Sequence, residues 1–457
     1  MPQKTIPAIV LLLLAAVAAW WFLQNPLKTS TVQPLAEKPE GVFYLNPTER
    51  RTPQAQAFIH GQSPTQRQVG WVKLPKVPPP RDANSDPTSA GYLGTDACAE
   101  CHQDYVNDFQ KTAHFHTSQE AQGDAVRTLL EMNRDTLVTA GGKISFQMTP
   151  DNGKFSQHLV VKAKENTFSQ HFTMDLITGS GKLGQSYLYW NDDHLYQAHV
   201  SLFHDENGNR WMNSPGFPDG GADYSRPIEQ RCLDCHATFF QWVNGTVNQY
   251  RPDNYVLGVS CEKCHGPGKQ HVDFHHAHPE ADESHHITNP GNLPTERLDD
   301  LCSLCHAPAK RLKKPPFSYR PGDNIDNFLE FEQDPRALQG GVHSTNQRLR
   351  LSQSACFQQS EAMTCITCHN PHQHERGNSA LFSQRCMQCH ESQACGKFTT
   401  LGKQIEQNCI DCHLPRREDE GTQMNVAQGA IFPLLRDHLI QVYPEISSQV
   451  EAQLLTN

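Results

Sequence analysis

Fourteen of the sixteen cysteines fall in seven copies of one pattern, Cys-x-x-Cys-His. The first three copies are Cys98-Ala-Glu-Cys101-His102, Cys232-Leu-Asp-Cys235-His236 and Cys261-Glu-Lys-Cys264-His265. The others are Cys302-Ser-Leu-Cys305-His306, Cys365-Ile-Thr-Cys368-His369, Cys386-Met-Gln-Cys389-His390 and Cys409-Ile-Asp-Cys412-His413. Two thiols at this spacing can add across the vinyl groups of one haem, and the imidazole that follows can bind its iron from the proximal side. The pattern therefore predicts seven covalently bound c-type haems, held by the fourteen cysteines, with the seven motif histidines as proximal ligands. Zinc ribbons do not need a His directly after the second Cys. Successive motifs start 134, 29, 41, 63, 21 and 23 residues apart, which fits no finger array. A disulfide framework leaves the histidines unexplained.

Eighteen of the 25 histidines lie outside the motifs, more than seven irons need on their distal side. The candidates are His114 and His116 after the first motif, His271 after Cys264-His265-Gly266-Pro267-Gly268, His372 after Cys368-His369-Asn370-Pro371, and His438. His438 sits among Leu434, Leu435, Leu439 and Val442, and an iron is a ready partner for a buried imidazole. His275, His276, His278, His285 and His286 form a His-rich stretch that reads as a further ligand source, a solvated loop or a zinc or copper site. His343, His194, His199 and His204 are weaker candidates, and His60 reads as a surface residue. Cys356 and Cys395 flank the fifth and sixth motifs. An exported chain would tend to join them as a disulfide, and two buried thiols are the alternative.

Positioning these groups calls for mainly α and irregular structure around the motifs, with an antiparallel β insertion between the first and second. Residues 1–24 carry the uncharged run Ile6 to Leu23, long enough for a single N-terminal transmembrane helix. Cleavage after Ala18 would make the run a signal peptide instead. Residues 25–90 read as a Pro-rich linker and 91–135 as the first haem segment. In the latter, Thr95 or Asp96 is expected to cap a helix bearing Tyr105, Phe109 and Ala113. In 136–225, Ile144, Phe146 and Met148 alternate with polar residues, Asn152-Gly153 marks a hairpin, and four to six strands are expected. Gly179-Ser180-Gly181-Lys182 reads as a turn. Strand signals are weak across 226–416, the six-haem segment. Residues 417–457 are expected to be helical and to carry His438.

Formal net charge is −10 and hydrophobic content 37%, slightly low, as suits a chain whose cofactors bring apolar faces of their own. No basic cluster with interleaved aromatics supports nucleic-acid binding. Between them, Gly94-Thr-Asp-Ala-Cys-Ala-Glu-Cys-His102, Gly179 to Trp190, Ser214-Pro-Gly-Phe217, Cys261 to Gly268, Met363 to His372, Cys409 to Pro415 and Asp437-His438 span roughly 91–440. In these residues the chain resembles the multihaem cytochromes c related to cytochrome c nitrite reductase and hydroxylamine oxidoreductase. It is most similar to the exported ones that often carry tetratricopeptide repeats, which are absent here. The Cys-x-x-Cys-Lys motif of the nitrite reductases is also absent.

The N-terminal run and covalent haem attachment point to an extracytoplasmic protein, anchored in the inner membrane where the run is not cleaved. Seven uniform motifs, a surplus of His and no Lys-ending motif point to mostly bis-His haems that pass electrons between membrane or periplasmic partners such as a quinol oxidase or other cytochromes. The competing expectation is an oxidoreductase acting on a small nitrogen or sulfur compound at one open-coordinate haem.

Overall fold

The computed structural model describes residues 91–457, apart from 131–135, 140, 163–166, 206–207, 333–340, 420, 427–428 and 457. It also describes short strands at Phe43–Tyr44, Glu49–Arg51 and Trp71–Lys73. The expected N-terminal anchor and most of the linker lie outside the described residues. Within them, no helix is long and apolar enough to cross a membrane.

The first motif lies in helix α1 (Thr95–Phe109), which turns Val106 and Phe109 inward. Neither expected cap is used: the N-cap is Gly94, and no side chain of α1 caps it. The buried Glu262 does the work from the third motif, accepting from the N–H groups of Leu93 (2.9 Å), Gly94 (2.8 Å) and Gly268 (2.9 Å). A carboxylate against these free N–H groups satisfies donors that the helix itself cannot pair.

The insertion is larger than the four to six strands expected. Among the described residues, nine strands run between 136 and 213, divided between two antiparallel sheets. A four-stranded meander contains β2 (Thr136–Val138), β3 (Ile144–Asp151), β4 (Lys154–Lys162) and β5 (Thr167–Thr173). Ile144, Phe146 and Met148 alternate inward as anticipated, and Asn152-Gly153 turns with φ of 48° and 82°. The run His171–Ile177 then splits between sheets at Asp175, whose carboxylate accepts from Lys154 Nζ (2.6 Å) and Trp190 N (2.8 Å).

The second sheet has the order β10-β9-β7-β8-β11: Gly208–Asn213, Val200–Asp205, Gly184–Asn191, His194–Gln197 and Arg226–Pro227. β6 (Leu176–Thr178) joins it beside β7, and β1 (Ser118–Glu120) pairs with β6, tying the sheet to the first motif's segment. Gly179 makes the expected turn at φ 94°, where an added Cβ would stand 2.7 Å from the Gly184 carbonyl. Phe146, Phe155, Leu159, Tyr187 and Tyr224, all fully buried, pack between the sheets.

The remainder is mixed rather than mainly α. After the short α2 (Asp124–Leu130), the second motif lies in α3 (Gln230–His236) and leads into a hairpin, β12 (Ala237–Trp242) with β13 (Tyr250–Leu257). Phe239, Phe240 and Tyr250 make that hairpin apolar enough to pack on the second sheet. The third motif is α4 (Cys261–His265), followed by α5 (Lys269–Ala277); the fourth ends α6 (Thr295–His306). Another hairpin, β14 (Ala309–Leu312) with β15 (Leu329–Phe331), follows. Short helices carry the rest: α7 (Gln347–Ser352), α8 (Ala355–Gln358), α9 (Cys365–Cys368), α10 (Ser379–Cys386) and α11 (Ile410–His413). In 417–457 only α12 (Pro444–Thr456) is α-helical among the described residues. Leu434–Arg436 is a strand (β17) paired with β16 (Arg416–Glu418), and His438 lies in the irregular chain just beyond it.

Candidate functional site

Four motif imidazoles face a second imidazole supplied by another part of the chain. Ring centres are 6.4 Å apart for His102 and His271, 6.1 Å for His265 and His372, 6.2 Å for His306 and His114, and 6.2 Å for His369 and His438. Two metal–imidazole bonds of about 2.0 Å, plus about 1.1 Å from nitrogen to ring centre on each side, span about 6.2 Å. The four pairs therefore have the separation that one iron between them requires.

Local bonds aim these rings. Nδ1–H donates to a backbone carbonyl in His265 (Thr288, 2.9 Å), His271 (His285, 2.8 Å), His306 (Ser344, 3.0 Å) and His438 (Arg436, 3.3 Å). His236 (Thr117, 3.4 Å) and His413 (Gln441, 2.9 Å) do the same. A ring that donates from Nδ1 keeps its Nε2 lone pair for a metal. Burial also holds His114 and His438 neutral. It pushes both pKa values down to about 4, with the neighbouring His306 and His369 adding to the effect.

The backbone around His114 is fixed by close approach. Gly258, at φ 67°, lies so near the Phe115 carbonyl that an added Cβ would stand 2.3 Å from it. The next residue, Val259, donates its N–H to the His114 carbonyl (3.0 Å). His372 is lodged edge-on against Tyr105 (5.6 Å) and Phe109 (6.4 Å) of α1. Its loop is pinned by Glu375, which accepts from Asn370 N (3.0 Å) and Arg385 Nη1 (2.8 Å).

The other candidates lie elsewhere. His116 meets its neighbour Phe115 at 5.2 Å. His275, His278, His285 and His286 surround Phe274, and no group of three or more metal-binding side chains forms among the described residues. His199 is buried in the second sheet, stacked on Phe146 and paired with Asn213. His194 pairs with Asp193, His204 with Asn209 and His343 with Thr345. His60 lies outside the described residues.

No disulfide joins any two of the sixteen cysteines. Several lie close to thiols of other motifs. Cys98 shares a hydrogen bond with Cys261, which holds Cys98 up and draws Cys261 down to about 7. Cys235 pairs likewise with Cys305, Cys302 with Cys365, and Cys386 with Cys409. The expected Cys356–Cys395 link is not formed. Cys356 sits on α8 near Cys368 and Cys386, whereas Cys395 faces Cys412, so each leftover thiol lies beside a different motif.

Paired thiols, an adjacent imidazole with a free Nε2 and a facing imidazole define a c-type haem site. The comparisons agree with that class. A family model described as "Cytochrome c554 and c-prime" matches residues 97–173 and 187–266, which contain the first three motifs. The multiheme cytochrome MtrA of Shewanella baltica is 25% identical over 199 residues, 38% of this chain and 55% of that protein. Cytochrome c-554 of Nitrosomonas europaea is 27% identical over 126 residues, 25% of this chain and 52% of that protein. The chain thus spans about half the length of the curated relatives it matches. The crystal structure of the outer cell wall cytochrome OcwA aligns over 79% of this chain and 82% of that one, with 14% identity and a TM-score of 0.45. The chain is a multihaem c-type cytochrome.

Proposed function

We propose that the chain binds seven c-type haems and carries electrons between redox proteins on the extracytoplasmic side of the membrane. We place it among the relatives of cytochrome c nitrite reductase and hydroxylamine oxidoreductase. The observation that carries this reading is the set of four facing imidazole pairs. An iron held by two imidazoles has both axial positions filled, so it exchanges electrons without binding substrate. The distal members come from other motif segments: His271 follows motif three and faces motif one, while His372 follows motif five and faces motif three. The thiol contacts join motif one to three, two to four, four to five and six to seven. Groups attached at such neighbouring sulfurs lie near one another, as serial electron transfer needs. The run Ile6 to Leu23 is the candidate tether to the membrane.

A second reading has one observation in its favour. Burial pushes the pKa of His236 down, and none of the ring contacts among the described residues sets another imidazole against it, as is also the case for His390 and His413. An iron there could keep a position open for a small nitrogen or sulfur compound. Intact-mass measurement of the purified protein should show seven covalent haems, and ferric electron paramagnetic resonance should show low-spin irons inert to cyanide and nitrite. A high-spin signal that cyanide removes would transfer the assignment to the open-haem reading. A mass with fewer haems would overturn the sevenfold assignment.

A further inference from the structure

The two variable positions of each motif have no part in haem attachment, yet in motifs two and three they carry charge into the interior. Asp234 of motif two is 4% exposed, and its Oδ1 accepts from the Lys263 ammonium of motif three at 3.0 Å. The ammonium lies 5.0 Å from the centre of the Phe317 ring. Arg231 stands 3.9 Å from the other Asp234 oxygen and donates to Cys235 Sγ at 2.9 Å. Nearby, Glu262 is spent on the N–H groups before α1, and Arg320 bonds to the Phe317 and Tyr319 carbonyls. The adjoining cavity measures about 10 Å³, at most room for one water.

A buried ion pair is seldom the most stabilising filling for such a space; apolar side chains of similar volume commonly do as well. Its position is more telling. The carboxylate adjoins Cys235, the ammonium adjoins Cys264, and both lie where Cys235 meets Cys305. In a low-dielectric interior a unit charge acts strongly at this range.

We propose that the Asp234 and Lys263 charges act in opposition on the reduction potentials of the haems attached at motifs two and four, so that the pair holds those couples in balance where the motifs meet. The inference rests on the electron-carrier reading above. Each couple is a ferric iron gaining one electron, with no bond made or broken. Ferric iron carries the extra positive charge, so the ammonium disfavours it and raises the potential, while the carboxylate lowers it.

The test is a redox titration of the holoprotein followed optically, with haem content checked by mass. Lys263→Gln should lower the ferrous-to-ferric ratio at fixed potential about tenfold in two couples, equivalent to about 59 mV for one electron. Asp234→Asn should raise it by about the same factor. The double variant should return within about threefold of the parent, and Lys263→Arg should match the parent. Should Lys263→Gln not fold, the opposite shift in Asp234→Asn and the return in the double variant still decide. Unchanged couples in a fully loaded variant, or both single variants shifting in the same direction, would overturn the tuning role. Loss of covalent haem from the parent itself would count against the electron-carrier reading instead.

Discussion

The two-sheet insertion and the region after residue 341 hold themselves together by different means. In the insertion, Phe146, Phe155, Leu159, Met174, Ile177 and Tyr187 form part of one continuous buried cluster. Phe155 meets Tyr187 edge-on at 4.7 Å, and Phe172 stacks on Tyr224. Each such side chain contributes about 1.5–3 kcal/mol on burial. Among the described residues between 341 and 440, the buried aliphatic side chains other than proline are Val342, Leu401, Ile405, Ile410 and Met424, spread over short elements and loops. Charged pairs stand in for a core there: Arg350 with Asp437, Arg385 with Glu375, Arg436 with Asp411. That region carries three of the seven motifs, so the apolar faces it needs are those of the groups its cysteines bind.

The largest expected effect follows directly. Chain produced without haem should keep hydrogen-exchange protection in β3, β4, β7 and β9 and lose it across 347–440, a contrast of orders of magnitude. Equal protection in both regions would break the comparison.

A smaller effect probes the insertion alone. Phe155→Ala empties a fully buried site and should destabilise the insertion by about 3–5 kcal/mol. Denaturant unfolding followed by Trp211 fluorescence should register it, while covalent haem content stays at the parent value. A fall in haem content would show that the insertion also shapes the motif region.

The contrast explains what could be read from residue order. The motifs are local, five residues each, and so were fully legible. The alternation of Ile144, Phe146 and Met148 and the Asn152-Gly153 turn are also local, and both occur as expected. The features that residue order does not reveal depend on residues far apart in the chain. Glu262 caps a segment 168 residues before it, and Asp234 meets Lys263 across two motifs. The facing imidazoles belong to the same class. Position along the chain left His114 and His116 equivalent, and the close approach of Gly258 and Val259 is what turns His114 toward His306. The apolar neighbours of His438 predict a helix there. The chain is irregular instead, with an Asx turn in which Asp437 accepts from Leu439 N (3.0 Å).

That turn supplies the finest test of the contrast. Arg350 donates to both Asp437 oxygens, at 2.8 and 2.5 Å, and Tyr443 adds a third contact at 3.3 Å. Asp437 is wholly buried, so its charge depends on these donors. Arg350→Gln retains a hydrogen-bonding group but removes the charge and the two-pronged geometry. The expected loss is about 1.5–3 kcal/mol, the scale of a hydrogen bond to a charged group, because Leu439 N and Arg417 still face the carboxylate. The loss should be local: faster amide exchange at Leu439 and Ile440, with β3 and β4 unchanged. Since His438 follows Asp437 directly, the same variant should loosen its hold opposite His369 and leave a minority high-spin signal. Exchange that quickens equally in the insertion would show that the two regions share one stability after all.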